Sequence, residues 1–366
     1  MKVLKTILLC GLIAGWISPC VEAAEIQVPA DYTTIQAAID AAVTGDEIVI
    51  ADGVYTGDGN RDIELRGKAI TVRSENGPEN CIIDCQGTNT ELHRGFYVHE
   101  WEDSTTVIQG LTILNGNTSS GSGGMMDNGA GIFGYNGSPK IENCVFQNNK
   151  SASGSGIYLI HYPVTQLSPD HTEDTPDKIE ADIRNCHFEN NTGRNSLNLS
   201  YVDGGIVENC IVINQHSENT VRGIEIGSSD VDVMNCRVTG LSNDSGQGVG
   251  FQISMSQGLY VNCVVDNSNI YANGGGVQIG GGSPILMNWL IANNHYGRSG
   301  GAVWLFDESS ATILNCTVVE NSFGLEGGGI DCHNSYPIFR NCIITDNSPS
   351  SIIETGYSIL TITNSN

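Results

Sequence analysis

The chain has 366 residues, with 41 acidic against 16 basic side chains, a formal net charge of −25, and 45 glycines. That charge argues against nucleic acid and anionic membrane surfaces as partners, both of which it would repel. So much glycine beside only 16% charged residues points away from helical bundles and towards β-structure with many turns.

The first 23 residues read as a signal peptide. Lys2 and Lys5 give a basic start, Ile7 to Ile17 an apolar core, and Val21-Glu22-Ala23 a small-residue cleavage site. Pro19 and Glu22 interrupt the apolar stretch too soon for a membrane span, and no later segment has a run long enough. Pro19 also sits poorly before Cys20 for a lipid anchor. The expectation is cleavage after Ala23 and export to the extracellular space, the periplasm or the cell surface, leaving 14 basic and 40 acidic residues and ten cysteines. The acidic surface is compatible with Ca²⁺, whose ligands are oxygens, although no cofactor or metal is fixed by the residues.

Residues 24–60 read as an N-terminal cap. Thr34 is placed to N-cap a short helix in which Ile35, Ala38, Ile39 and Ala42 share one face, Gly45 ends it, and Asp46 to Ile50 begin the strands. That helix is expected to cover the open end of the β-structure and hide unpaired strand edges.

The rest of the chain is a repeat. Asn-Cys recurs at 143-144, 185-186, 209-210, 235-236, 262-263, 315-316 and 341-342, with Asn288-Trp289 filling the one gap. The steps are 42, 24, 26, 27, 26, 27 and 26 residues, and a period this regular makes residues 24–366 a solenoid. Each repeat adds a glycine-rich run and a short apolar strand, as in Gly327-Gly328-Gly329-Ile330. The fold class is all-β: a right-handed, single-stranded parallel β-helix of three short strands per coil. Asn tolerates the left-handed conformation of a sharp bend, so Asn143 and its equivalents are expected at one corner, stacked as a hydrogen-bonded ladder. The cysteines are expected as a packed core column, because stacked residues have parallel Cβ vectors unsuited to a disulfide and Trp289 occupies the same column. Cys81, Cys85 and Cys332 stand outside it and are left open. A leucine-rich repeat has a similar period but needs a leucine-dominated LxxLxL core, which is absent.

The 42-residue step holds about 16 extra residues, placed at His161 to Lys178, acidic and without periodicity: an inserted surface loop. At the far end, Leu360 to Asn366 repeat the corner motif and the chain stops in mid-coil, which suggests a partner or further domain there.

Residues 28–42 (Val-Pro-Ala-Asp-Tyr-Thr-Thr-Ile-Gln-Ala-Ala-Ile-Asp-Ala-Ala), with Gly45-Asp46 and Gly53-Val54-Tyr55, resemble the N-terminal cap of pectate-lyase-like β-helix proteins, pectin methylesterases included. The repeats are also similar to those of chlamydial polymorphic outer-membrane proteins, through Gly328-Gly329-Ile330, Gly300-Gly301-Ala302, Phe146-Gln147-Asn148-Asn149 and Phe188-Glu189-Asn190-Asn191. The resemblance covers the mature chain and implies the fold. It implies no chemistry, because the catalytic segments of the methylesterases, polygalacturonases and pectate lyases are all missing, and a fold does not give a function.

In such a fold the outer face of the strand after each glycine run carries the cleft. Strand alternation there sets the outward residues as Tyr97, Phe133, Tyr158, Asn198, Glu225, Gln252, Gln278, Trp304 and Asp331. Exposed aromatics, amides and acids in one stripe suit a polysaccharide. Arg94, Lys150, Arg194, Arg222 and Arg298 fall on the bend before that strand, five of the 14 basic residues, which suits an anionic glycan. For catalysis, Glu225 beside Arg222 resembles the base and charge neutraliser of a uronan elimination, and Asp331 with His333 is a second acid/base pair. Glu225 and Asp331, four coils or ~19 Å apart, are too distant to act as one hydrolase pair. Two functions stand: a secreted β-helix protein that binds or processes polysaccharide, with a lyase acting on an acidic glycan or a glycoside hydrolase as its enzymatic form, and a non-enzymatic cell-surface or adhesin-type repeat protein.

Overall fold

The computed structural model describes residues 23–162, 178–271, 274–297, 301–324, 328–349 and 352–365. The signal peptide, apart from Ala23, and the body of the acidic insertion, 163–177, lie outside them. The described chain is a parallel β-helix with three long sheets. Sheet A has 13 strands, from Glu25–Val28 to Thr361–Thr363. Sheet B has 11, from Gly53–Tyr55 to Ile343–Thr345, and sheet C has 11, from Ile63–Glu64 to Ile352–Thr355. A five-stranded ribbon, sheet D, joins B to C from His216–Ser217 to Ser322–Phe323.

The repeat text explains the corners. Asn143, Asn185, Asn209, Asn235, Asn262, Asn288, Asn315 and Asn341 all have φ between 53° and 59°. Each is a left-handed residue that turns the chain from sheet A into sheet B. Their side chains form the expected ladder, with Asn209 Nδ2 donating to Asn185 Oδ1 at 3.0 Å and Asn235 Nδ2 to Asn209 Oδ1 at 3.2 Å. A second, buried ladder follows sheet B: Asn294 donates to Asn321 Oδ1 and Asn321 to Asn347 Oδ1, both at 2.9 Å. These amides satisfy backbone groups where the coil bends out of the sheet.

Behind each corner the cysteine points inward. None of the ten described cysteines forms a disulfide and all are buried, Cys81, Cys85 and Cys332 included. Trp289 stands in the same column, 1% exposed, its Nε1–H donating to Tyr260 O at 2.9 Å and its ring edge-on to Phe251.

The glycine runs have a different cause from the one their composition suggests. Gly131, Gly156, Gly223, Gly250 and Gly276 sit where sheet C passes closest to sheet B. A Cβ on Gly156 would lie 2.3 Å from Phe188 Cδ1, one on Gly250 2.3 Å from Val265 Cγ1, and one on Gly276 2.4 Å from Ile291 Cγ2. The core is thus only one side chain thick at that line.

The cap forms as expected. Helix Ile35–Ala41 is N-capped by Thr34, whose Oγ1 accepts from Ala37 N at 3.3 Å, and Ile35, Ala38, Ile39 and Ala42 are buried against the first coil. The first residue of the insertion departs from a surface loop. His161 is only 2% exposed, and Asp203 Oδ2 holds both His161 Nδ1 at 3.1 Å and Ile179 N at 3.0 Å, tying the loop roots together.

Candidate functional site

Sheet C sets the site. Its register pairs Glu64 with Tyr97, then Phe133, Tyr158, Asn198, Glu225, Gln252, Gln278, Trp304 and Asp331, in unbroken order. The nine residues expected to face outward therefore form one ladder, with their neighbours such as Leu197 and Leu199 in the core. The rings at its start stack at 5.6 Å (Tyr97 to Phe133) and 5.7 Å (Phe133 to Tyr158) with planes within 10°.

The ladder is less exposed than expected, which corrects several assignments. Phe133 is fully buried: Tyr97 and Tyr158 cover its two faces, and Gly129 packs on its Cβ. Asn198, Gln252 and Gln278 are also buried: Asn198 lies between Tyr158 and Glu225 and bonds to Ser153 and Ser200, and Gln252 and Gln278 stack on one another at the coil spacing. Tyr97, Tyr158, Glu225, Trp304 and Asp331 remain half-buried and His333 is exposed, so the groove is lined by parts of the ladder. Arg94 is a further correction. It is 6% exposed, donates to the carbonyls of Met126 and Asn128, and lies over the Tyr97 and Phe133 rings at 5.4 and 5.1 Å. Its guanidinium holds a covering loop over the aromatics, and desolvation pulls its pKa down. Arg298 lies outside the described residues.

The polar centre of the ladder is Glu225. Its Oε2 accepts from Asn195 Nδ2 at 2.5 Å, meets Arg222 Nη1 at 2.7 Å, and has Arg194 Nε at 3.9 Å. Arg222 approaches off its N–H direction, so the contact is an ion pair without a hydrogen bond. Its Nε also has no protein partner, although the side chain is only 10% exposed. Burial lowers the Arg222 pKa, while Glu225 opposes that shift. A nearly buried guanidinium with idle donors is set up to take an anion. Arg194 is half exposed and also lines, with Lys150, Thr192, Ser217 and Thr220, an adjoining polar basin of about 550 Å³. Burial raises the Tyr158 pKa, and the phenol also interacts with Ser200. Asp331 and His333, two residues apart on one strand, lie four rungs from Glu225, so the two acid groups remain separate sites.

One feature of the groove is absent from the alternation pattern. Tyr135, Tyr162 and Tyr201 make a second aromatic row beside the ladder, with ring centroids 5.7 and 6.4 Å apart. Tyr162 and Tyr201 are among the more exposed large side chains. They sit in the bend after the strand, where Tyr201 has φ of 57°, and period-two reasoning does not reach them.

Residues 241–366 match the family model described as a right handed beta helix region, in keeping with the right-handed sense expected of the fold. No curated protein sequence matches the chain. Among solved structures, the A-module of the mannuronan C-5 epimerase AlgE6 of Azotobacter vinelandii is similar at 14% identity, over 90% of this chain and 93% of that one, with a TM-score of 0.42. The Agl-KA catalytic domain is similar at 12% identity over 94% and 69%, with a TM-score of 0.45. Tailspike protein 2 of the Escherichia coli O157:H7 bacteriophage CAB120 is similar at 12% over 94% and 47%, with a TM-score of 0.37. At these identities the likeness is one of fold, and no residue role passes from them to this chain.

Proposed function

We propose that this is an exported protein that binds an anionic polysaccharide along the groove of sheet C and processes it at Glu225 by a lyase-type elimination. The observation that carries the reading is the junction of Glu225, Arg222, Arg194 and Asn195 in the middle of an aromatic and amide ladder, with unsatisfied donors on Arg222. A sugar carboxylate entering there would pair with Arg222 and Arg194 and displace Glu225 from its ion pair. That exchange frees Glu225 to take the proton from the C–H beside the carboxylate while the guanidinium neutralises the developing enolate; the enolate then collapses to a C=C bond as the β C–O bond to the neighbouring sugar breaks, and the leaving oxygen takes a proton from solvent water. The half-buried Tyr158 and Trp304 rings supply faces for pyranose units, whereas Phe133 and His99 stack on Tyr97. Export rests on the signal-peptide pattern of residues 1–23; among the described residues no helix is long and apolar enough to cross a membrane.

A panel of uronans and sulfated glycans tests the proposal through absorbance of unsaturated product near 235 nm, a general handle for elimination. Glu225→Gln is expected to abolish product and Arg222→Ala to abolish both product and retention on the glycan. Turnover unchanged in both variants removes the assignment.

A second reading keeps the binding and drops the chemistry: a non-enzymatic surface repeat protein. It is favoured by the tie of Glu225 Oε2 to Asn195 and Arg222, which leaves a poor base unless the ligand breaks it. Retention without product for every glycan supports this reading.

A further inference from the structure

We infer that Glu64, His99 and Glu100 form a site for a divalent transition-metal ion of the Zn²⁺ type. The inference does not depend on the glycan reading, although Glu64 is the first rung of the same ladder.

The three residues come from two turns that the fold fastens together. After strand Ile63–Glu64 the chain reverses through Arg66 and Gly67, both with φ of 61°. One coil on, after Phe96–Val98, it turns through His99, Glu100 and Trp101. The carboxylate of Glu102, 4% exposed, accepts from Gly67 N at 3.1 Å and from Glu100 N at 2.8 Å. Gly67 admits the close approach: a Cβ there would stand 3.2 Å from the Glu100 carbonyl oxygen. One buried acid thus sets the two turns in fixed relation.

Across them, one ligand atom each from Glu64, His99 and Glu100 lies within 4.8 Å of the others. An ion with bonds of about 2.0–2.2 Å brings such atoms to roughly 3.3 Å apart, so about an ångström of side-chain movement closes the set. The second observation concerns His99. Its Nε2 is shielded from solvent and has no hydrogen-bond partner, and the nearest carboxylate oxygen, Glu64 Oε1, is 3.9 Å away. A shielded ring nitrogen is rarely left unpaired, and this one belongs to an imidazole pinned by the Tyr97 ring at 4.1 Å. Arg66 engages the other oxygen of Glu64, and also Asp40, so it orients that carboxylate while leaving Oε1 available. One imidazole with two carboxylates suits a borderline ion; Ca²⁺ prefers six to eight oxygens. The ten buried thiols are withdrawn from competition.

The test is calorimetric titration of the chelator-stripped protein with Zn²⁺, with Co²⁺ absorption as a second probe of the same ligands. One saturable equivalent is expected, and bound Zn²⁺ should raise the thermal midpoint. His99→Ala and Glu100→Gln should each weaken binding by at least the roughly 10- to 100-fold that attends loss of even an outer-shell partner. His99→Gln, which keeps the ring's bulk more closely, repeats the measurement if the alanine variant melts early, and circular dichroism verifies its fold. Equal affinity in wild type and both His99 variants overturns the inference. So does the absence of a saturable Zn²⁺ site, or occupancy by Ca²⁺ alone that survives His99→Ala.

Discussion

Replacing Gly156 by alanine puts a methyl where sheets B and C leave no room for one. The added carbon would stand 2.3 Å from Phe188 Cδ1, 2.6 Å from Cε1 and 3.0 Å from the Ser196 carbonyl oxygen. Carbon pairs rest at about 3.5–4.0 Å, so the overlap with the ring exceeds an ångström. Phe188 cannot swing away freely because it stacks on Phe146 at 5.0 Å with planes 11° apart. Overpacking of a filled core costs about 1–3 kcal/mol, and three stiff neighbours place this case near 3 kcal/mol. For a chain of this size that lowers the thermal midpoint by about 4 °C. Removing the ring removes the overlap, whereas a valine there would not, since a Cβ on Gly250 already meets Val265 at 2.3 Å. Adding Phe188→Ala to Gly156→Ala should therefore recover about 1–2 kcal/mol relative to the sum of the single variants in urea unfolding. A Gly156→Ala protein within about 0.5 kcal/mol of wild type, the range of a bland surface change, refutes the reasoning.

Trp289→Ala should cost about 3–5 kcal/mol in the same assay, since it empties the largest fully buried position and removes the indole N–H bond to the Tyr260 carbonyl. The thiols set an alkaline limit. Burial pushes Cys81 and Cys332 up to about 12 from 9.0. Above pH 9 the unfolded chain therefore sheds protons that the folded chain keeps, and stability falls as pH rises from about 9 towards 12. Urea midpoints at pH 7 and 10.5 test the sign; a higher midpoint at pH 10.5 contradicts it. In the native protein the ten described cysteines should resist a thiol reagent, and all should react once the protein is denatured.

Period and corner chemistry are legible in the residues because they are local. An Asn every 26 residues or so, with φ near 54°, needs only its own bend, and the outward ladder needs only strand alternation. The features that the residues do not reveal depend on partners far along the chain. Phe133 alternates outward correctly, yet Arg94 and the loop around Met126 to Gly129 bury it. Spacing alone puts Arg222 beside Glu225, whereas Asn195, which completes the junction, comes from the preceding coil. The glycine runs have the composition of turns and are instead a gap cut for Phe188, Val265 and Ile291. Tyr162, Tyr201 and the pairing of His99 with Glu64 sit in bends, where no periodicity points to them.

Retention on an anionic glycan, compared among four proteins in one affinity gel, tests the groove most directly. The set is the wild type, Tyr158→Ala, Arg194→Ala and the control Arg237→Ala, whose charge lies on sheet B paired with Asp266. The wild type and the control should be retarded alike, with retardation lost or sharply reduced in the two groove variants. Equal mobility shifts in all four, or loss with the Arg237 variant alone, would place binding elsewhere and contradict the account.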